Sequence, residues 1–420
     1  MNRRFAASLA LLAALVAVAS AAYAFVSDFP RGLVVFACIV LALGTAWMGL
    51  LRKGTTRTLW LVLAALLLAA SILVTLGGGN AWALAVSIVA VLGSLAASRR
   101  AFRPAGELPP APALRQPVLF VNPRSGDGRA ARVGLAAAAR ERGIEVVELH
   151  PGEDLEQLVT AAVGRGADAL AMAGGDGSQA VVATVAAAHD LAYACIPSGT
   201  RNHFALDLGV DREDVVGALD ALLPGAGERY VDLGEVNGRV FVNNVSLGIY
   251  AIAVSQEGYR EAKMRTLLDT LADALGPDGE PRQLHWRADE EPSQTSEALV
   301  LVSNNPYRLG PTLGSGTRPH LDSGRLGIVD FAPPKAGGAP NAGRYRELTA
   351  RELTVEAGEP VATGIDGEAV TLESPLRFRI RPGALRVRIA PQHPGASPSS
   401  AVPRDPLAAL RELGRLAFAP

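Results

Sequence analysis

Four stretches without a single charge fill the first hundred residues: Phe5–Val26, Leu33–Leu51, Leu59–Leu76 and Ala81–Ala97. Each approaches the ~20 residues a helix needs to cross a hydrocarbon core. Membrane helices are therefore expected over about residues 5–26, 33–51, 59–76 and 81–97, within a transmembrane region 1–103. Arg3 and Arg4 precede the first run, Arg52, Lys53 and Arg57 separate the second from the third, and Arg99, Arg100 and Arg103 follow the fourth. Four crossings put all these clusters on one side, which the positive-inside bias makes the cytoplasm. The expected placement is multi-pass in the plasma membrane, with the rest of the chain cytoplasmic. Arg3-Arg4, an apolar run and Ala22-Tyr23-Ala24 also resemble a cleavable signal peptide. Cleavage would leave three crossings and the same cytoplasmic destination.

Charge divides the chain at the same place. The first 100 residues hold eight basic side chains and one acidic, Asp28, whereas the other 320 hold 32 basic and 40 acidic. The acidic balance of the larger part argues against a nucleic-acid partner. Cys38 and Cys195 lie in different apolar runs and suggest neither a disulfide nor a zinc site.

Pro104–Pro117 reads as a Pro-rich linker (104–117). Short apolar strands then alternate with Ala-rich helices: strand 118–121, helix Ala130–Arg142, strand Ile144–Leu149, helix Leu155–Arg165, strand Ala169–Ala173, helix Gln179–Ala188 and strand Ala192–Ile196. Such alternation predicts an α/β domain with a parallel sheet, over 118–228. From Arg229 the pattern changes to strands, beginning with a hairpin at Asn237-Gly238 and interrupted by one helical stretch, Gln256–Leu275. An antiparallel β-rich domain is expected over 229–390, with separate strands at Leu376–Ile380 and Leu385–Ile389. A mobile extension, 391–420, would end in an amphipathic stretch, Leu407–Phe418.

Three loops follow strands of the α/β part: Asn122-Pro-Arg-Ser-Gly-Asp-Gly128, Gly174-Gly-Asp-Gly-Ser178 and Pro197-Ser-Gly-Thr-Arg-Asn-His203. Glycines let backbone N–H groups approach phosphate oxygens, and the following helix adds a positive dipole end. Asp176 among such amides is explained by a cation between carboxylate and phosphate, hence a magnesium role. A Walker A site is excluded, because the only lysines are Lys53, Lys263 and Lys335 and no Gly-Lys-Ser/Thr occurs.

Taken in order, Asn122–Gly126, Gly174–Ser178, Pro197–Ala205, Asn243–Gly248 and Asp366-Gly-Glu368 resemble the motifs of the diacylglycerol kinase catalytic domain family, which includes bacterial lipid kinases and sphingosine kinases. The resemblance implies a phosphofructokinase-like α/β domain, a β-rich lipid-substrate domain, ATP and Mg2+ in the cleft, and γ-phosphoryl transfer to a lipid hydroxyl. It further implies that Asn122, Ser125, Gly126, Gly174, Gly175, Asp176, Gly177, Ser178, Gly199, Thr200 and Asn202 line the nucleotide. Asp366 would be the catalytic base with Glu368 in support, and Asp176 and Asp322 would hold metal. The chain departs from the family at Ala180 and Val181, where Asn and Glu are usual, and at Ser323, where a carboxylate is usual. Expected partners are nucleotide, membrane lipid and bilayer, with a homodimer an option. Two alternatives stand: a kinase for a soluble acceptor, NAD-kinase-like, and a catalytically degenerate lipid-binding module.

Overall fold

The computed structural model describes residues 2–50, 54–79, 81–102, 108–248, 284–290, 292–296, 299–309, 316–331, 345–403 and 405–418. The helical stretch expected at 256–275 lies outside them. The first hundred residues form α1 (Arg3–Ser27), α2 (Arg31–Leu50), α3 (Gly54–Leu76) and α4 (Ala81–Ala101). Three helical segments are long and apolar enough to cross a membrane: Arg3–Ser27, Thr58–Thr75 and Trp82–Ala101. A fourth apolar segment among the described residues, Arg31–Ala46 of α2, is shorter.

α1 packs antiparallel along α4, and α2 along α3. The α1–α4 seam is made by small residues, with Ala6, Ala7, Ala10, Ala17 and Ala24 buried on α1, which lets the backbones approach closely. Its hydrogen bonds recur every seven residues, two helical turns. Arg3 Nε donates to the Ala101 carbonyl at 3.0 Å, Ser94 Oγ to Ala10 at 2.9 Å and Ser87 Oγ to Ala17 at 2.9 Å. At the far end Arg31 donates to the Gly77 carbonyl at 3.2 Å. The Arg3–Ala101 end and the Arg31–Gly77 end therefore mark opposite ends of the bundle.

In the remainder, β1 (Pro117–Val121), β2 (Glu145–Glu148), β3 (Ala169–Ala173) and β4 (Ala192–Ile196) form a parallel array in the order β2-β1-β3-β4. β1, β3 and β4 are buried throughout, as their continuous apolar runs require. Helices α5 (Arg129–Arg132), α6 (Leu135–Glu141), α7 (Leu155–Gly164), α8 (Asp176–Ala188) and α9 (His203–Leu208) connect and follow these strands. The single helix expected over 130–142 is two, because Gly134 adopts a left-handed φ of +65° between α5 and α6.

The β-rich part forms an antiparallel sheet of its own and also extends the sheet of the α/β part. β5 (Gly227–Val236) and β6 (Arg239–Phe241) form the hairpin expected at Asn237-Gly238, both residues having positive φ. The two strands expected at 376–380 and 385–389 are one, β16 (Leu376–Ile389), irregular near Pro382-Gly383. Its end pairs parallel with β4 and its start antiparallel with β13 (Glu352–Glu356), which continues to β8 (Leu284–Ala288) and β9 (Gln294–Ser296). One mixed sheet thus runs through both parts. A second, antiparallel sheet contains β12 (Tyr345–Ala350), β11 (Leu326–Phe331), β10 (Leu299–Ser303), β7 (Asn244–Gly248), β14 (Val361–Ile365) and β15 (Glu368–Leu372), in that order. The core between the sheets includes Val236, Phe241, Trp286, Ile328 and Phe378.

Both flanking segments are packed. In the Pro-rich segment, Leu108 and Leu114 lie against the α/β core, and the Pro109 carbonyl accepts from Glu228 N at 2.8 Å. The tail is not the free extension its composition predicts. Ser397 and Ser399 are buried, Thr317 Oγ1 donates to Ser399 Oγ at 2.7 Å, and Arg308 donates to the Pro403 carbonyl at 2.9 Å. The chain ends in α10 (Pro406–Phe418), docked on α1 and α4.

Candidate active site

Because β1, β3 and β4 are neighbours, the loops at their carboxyl ends are neighbours too. Their glycines show how close. A Cβ on Gly199 would stand 2.6 Å from Gly175 Cα, and one on Gly126 would stand 2.3 Å from the Ser198 carbonyl oxygen. Loop 122–128 carries left-handed backbone at Gly126, Asp127 and Gly128, and Asn122 caps it by accepting from Arg124 N at 3.1 Å. Asn122, Ser125, Gly126, Gly174, Gly175, Gly177, Ser178 and Gly199 are thus brought together as the motifs predict. Thr200 stands exposed at the rim.

Helix α8 begins three residues earlier than expected, so Asp176, Gly177 and Ser178 form its first turn with Gly175 as N-cap. Their N–H groups have no partner within the helix, which makes an anion site at its positive end. Two side chains hold the loops without facing this site. Gln179, missed by motif reasoning, is buried and donates from Nε2 to the carbonyls of Met172 (2.9 Å), Gly174 (3.3 Å) and Ile196 (3.2 Å), while Tyr193 Oη donates to its Oε1. Its signal was a lone amide on a helix face otherwise made of Ala and Val. Asn202, expected to touch nucleotide, is instead a brace: its Oδ1 accepts from Gly199 N at 2.8 Å and its Nδ2 donates to Gly199 O at 2.7 Å.

The Asp176 carboxylate accepts from the N–H groups of His203 and Phe204, each at 3.2 Å, tying the start of α8 to the start of α9. Next to Gly177 and Ser178 in the first turn of α8, a cleft of about 610 Å³ is bounded on its other side by the β14–β15 hairpin. Its turn, Asp366-Gly367, has φ of +48° and +90°. The Asp366 carboxylate accepts from the backbone N–H of Val242 (2.9 Å), Asn243 (2.8 Å) and Asn244 (3.1 Å). Burial pushes this carboxyl up to about 7; the N–H groups of Val242 and Asn243 oppose the rise, and the Asp176 charge adds to it. Glu368 is exposed and reaches over the first turn of α8, where a Cβ on Gly177 would stand 2.3 Å from its Oε1. Apolar Leu149, Leu155, Ala180, Val181, Val240 and Ile365 share the rest of the cleft wall with polar and charged Glu156, Ser178, Thr184, Asn237 and Arg239. The family departures at 180 and 181 therefore make that wall more apolar.

A buried guanidinium joins the two sides. Arg318 Nε donates to Asp207 Oδ2 at 2.7 Å, Nη1 to the carbonyls of Val242 (2.6 Å) and Asn304 (2.8 Å), and Nη2 to Asn243 Oδ1 at 2.7 Å. Burial works against its charge, but Asp207 and then Tyr307 outweigh that, so Arg318 is held above its ordinary range. Asp207 lies on α9, whose first N–H groups bind Asp176. Residues 242–243 thus give N–H groups to Asp366 and carbonyls to Arg318, which explains why the strand expected over 239–245 breaks into β6 and β7.

Asp322 does not join this cleft group. It is exposed and interacts electrostatically with Arg229, which donates to the Leu208 carbonyl at the opposite end of α9 from Asp176. In the neighbouring turn, Ser323 Oγ donates to Asn305 Oδ1 at 2.6 Å, and Gly324 N donates to Asp232 at 2.7 Å. Among the described residues no three His, Cys, Asp or Glu side chains converge as a metal cage.

Residues 116–236 match the family model described as the diacylglycerol kinase catalytic domain. A diacylglycerol kinase of Mycobacterium tuberculosis (strain H37Rv) is 37% identical over 121 residues, 28% of this chain and 39% of that protein. The chain therefore spans well under half the length of that relative. A Pseudomonas aeruginosa (strain PAO1) protein named "Probable lipid kinase YegS-like" is 29% identical over 277 residues, 62% of this chain and 89% of its own length. A solved diacylglycerol kinase structure from Bacillus anthracis superposes with a TM-score of 0.50 at 21% identity, covering 66% of this chain and 97% of that one. Residues 116–236 thus match the diacylglycerol kinase catalytic domain, and the family resemblance carried by the ordered motifs holds.

Proposed function

We propose that this chain is a membrane-anchored lipid kinase that transfers the γ-phosphoryl group of ATP to the hydroxyl of a diacylglycerol-like lipid alcohol. The observation that carries this reading is the closure of the Asp366–Glu368 hairpin over the first turn of α8. It sets two carboxylates against backbone amides suited to phosphate, in a cleft whose remaining wall mixes apolar side chains such as Leu149, Leu155, Val181 and Val240 with polar ones.

In this reading the amides of 175–178 and the loop 122–128 hold the polyphosphate. Asp366 accepts the proton of the attacking hydroxyl, its raised pKa matching a base that works near neutrality. Glu368 and Asp176 flank the transferred group. The acidic set fits a Mg2+ ion that arrives with the nucleotide rather than one held in an all-protein cage. When bound, such an ion neutralises charge on the transferring phosphoryl group. Asp176 would help to hold it, whereas Asp322, beside Arg229, lies apart from this group. The apolar helices of the first hundred residues keep the catalytic part, on the cytoplasmic face, beside an acceptor that never leaves the bilayer.

The full chain in vesicles, given radiolabelled ATP and mixed lipids, is expected to yield a labelled lipid phosphate. Labelling of water-soluble acceptors alone would replace the lipid reading with that of a soluble-acceptor kinase. Nucleotide binding with no transfer would replace it with the binding module.

A further inference from the structure

Helix α10 has two apolar faces and only one is covered. Ala409, Leu413, Leu416 and Ala417 pack with Val402 against Ala6, Ala7, Ala10 and Leu11 of α1 and Ala97, Ala101 and Phe102 at the end of α4. On the other side Leu407, Leu410, Gly414 and Phe418 form a stripe at spacings of three, four and four residues. Its large members are 62%, 49% and 84% exposed. A helix that leaves Leu and Phe bare along one face while burying the opposite one implies a second apolar surrounding.

The helix it sits on tells what that surrounding is. The covered face reaches Ala10 and Leu11, seven and eight residues beyond Arg3, or about 10–12 Å along α1 at 1.5 Å per residue. Arg3, Arg4, Arg99 and Arg100 mark the same end of the α1–α4 pair. A helix packed at that depth beside two membrane spans lies at the boundary of headgroups and acyl chains, where amphipathic helices bury their apolar faces. Arg411 and Arg415 lie beside the bare stripe, and Glu412 is paired with Arg415 at 3.0 Å.

We propose that α10 is an interfacial helix whose Leu407–Leu410–Phe418 face inserts into the bilayer surface, fixing how the catalytic cleft meets the membrane. This rests on the membrane reading of α1, α3 and α4 given above. The segment before α10 is tied to the catalytic part at Arg308–Pro403 and Thr317–Ser399, the latter adjacent to Arg318. The lipid surface is thereby connected through a short, hydrogen-bonded strap to the residue that spans the cleft.

The test uses the full chain carrying Cys38→Ser, with buried Cys195 left in place, reconstituted in vesicles of phosphatidylcholine and phosphatidylglycerol. A bimane label is attached at Phe418→Cys or, as a reference, at Leu66→Cys, a position exposed on α3. Neither replaced side chain belongs to the buried packing of α10, so the fold is preserved. The 418 label is expected to be quenched several-fold more by lipids spin-labelled near the headgroup than by aqueous iodide, and the 66 label by lipids spin-labelled deep in the acyl chain. If 66 is lipid-quenched while 418 responds only to iodide, the interfacial helix is overturned and the membrane reading stands. If neither responds to lipid, the membrane reading fails and takes this inference with it. A 418 label shielded from both quenchers, with disulfide formation between copies before labelling, would make the face an interface between two chains and equally overturn the proposal.

Discussion

Asp176 at the start of α8 and Asp366 in the β14–β15 turn are two acidic residues held in opposite ways. Asp176 caps two N–H groups of α9, 27 and 28 residues ahead in the chain, and belongs to a helix start that would form by local rules. Asp366 sits in a two-residue hairpin turn and accepts three N–H groups from residues 122 to 124 positions away. The first carboxylate organises its own neighbourhood. The second is held in place by the rest of the fold, so its chemistry depends on everything that positions residues 242–244.

The largest effect expected from this difference is at Asp366. Asp366→Asn puts an NH2 group where the carboxylate meets N–H donors and removes the base, and turnover should fall by about 10²–10⁴-fold. The sign of the pH dependence follows from a carboxyl raised to about 7. Below that pH the base carries a proton, so the rate should rise with pH and level off above 7, with about a tenfold deficit at pH 6 for one titrating group. Steady-state rates from pH 5.5 to 8.5 check this. If Glu368→Gln abolishes the inflection while Asp366→Asn retains it, the roles of the two acids are reversed.

Next in size is the link between the two turns. Arg318→Met leaves Asp207 charged and buried without its partner, and breaking such a pair costs about 3–5 kcal/mol. Thermal or denaturant unfolding of the detergent-solubilised chain measures it, and adding Asp207→Asn should recover part of the loss. Full activity in the single variant at a temperature where it remains folded would show that the cleft does not need this strap.

The glycines separate the same two sides on a smaller scale. A Cβ at Gly199 would meet backbone, Gly175 Cα at 2.6 Å, whereas one at Gly177 would meet the end of the flexible Glu368 side chain at 2.3 Å. Gly199→Ala should therefore destabilise by roughly 1–3 kcal/mol through overpacking and weaken nucleotide binding. Gly177→Ala should leave the fold intact and lower kcat by displacing Glu368. Calorimetry of nucleotide binding beside unfolding curves distinguishes them, and equal destabilisation by both would refute the assigned geometry.

How far the sequence alone could reach follows from the same contrast. The apolar strands, the glycine loops, the Asn237-Gly238 hairpin and the apolar helices are written in short-range patterns, and those elements form where the patterns place them. What could not be read depends on distant partners. The gap between β6 and β7 exists because Asp366 and Arg318 take the backbone groups of residues 242–243, and nothing near Val242 announces either. Arg318 lies outside the five motifs, so its role emerges only when Asp207, Asn243 and Asn304 surround it. Asn202 belongs to a glycine-loop motif that suggests a nucleotide contact, whereas its side chain bonds back to Gly199 in its own loop. The tail looked mobile because Pro and Ser dominate it, while its anchor points, Thr317 and Arg308, are 82 and 95 residues distant.

The smallest predicted structural change is at Asp176, where it is also the most informative. As a cap on α9 alone, its carboxylate is worth about 1 kcal/mol, the usual cost of losing such an acceptor. Asp176→Asn keeps an acceptor oxygen toward only one of His203 and Phe204 and turns its NH2 to the other, so stability should fall by about that amount. Any ion that travels with ATP would instead lose a charged ligand, giving a raised magnesium requirement and a fall in kcat far larger than the stability change. The same substitution also removes a neighbouring negative charge that raises the Asp366 carboxyl, so the residual activity should have its inflection below pH 7. A variant with unchanged magnesium dependence and an unmoved inflection would reduce Asp176 to a helix cap and leave Asp366 and Glu368 as the working acids of the cleft.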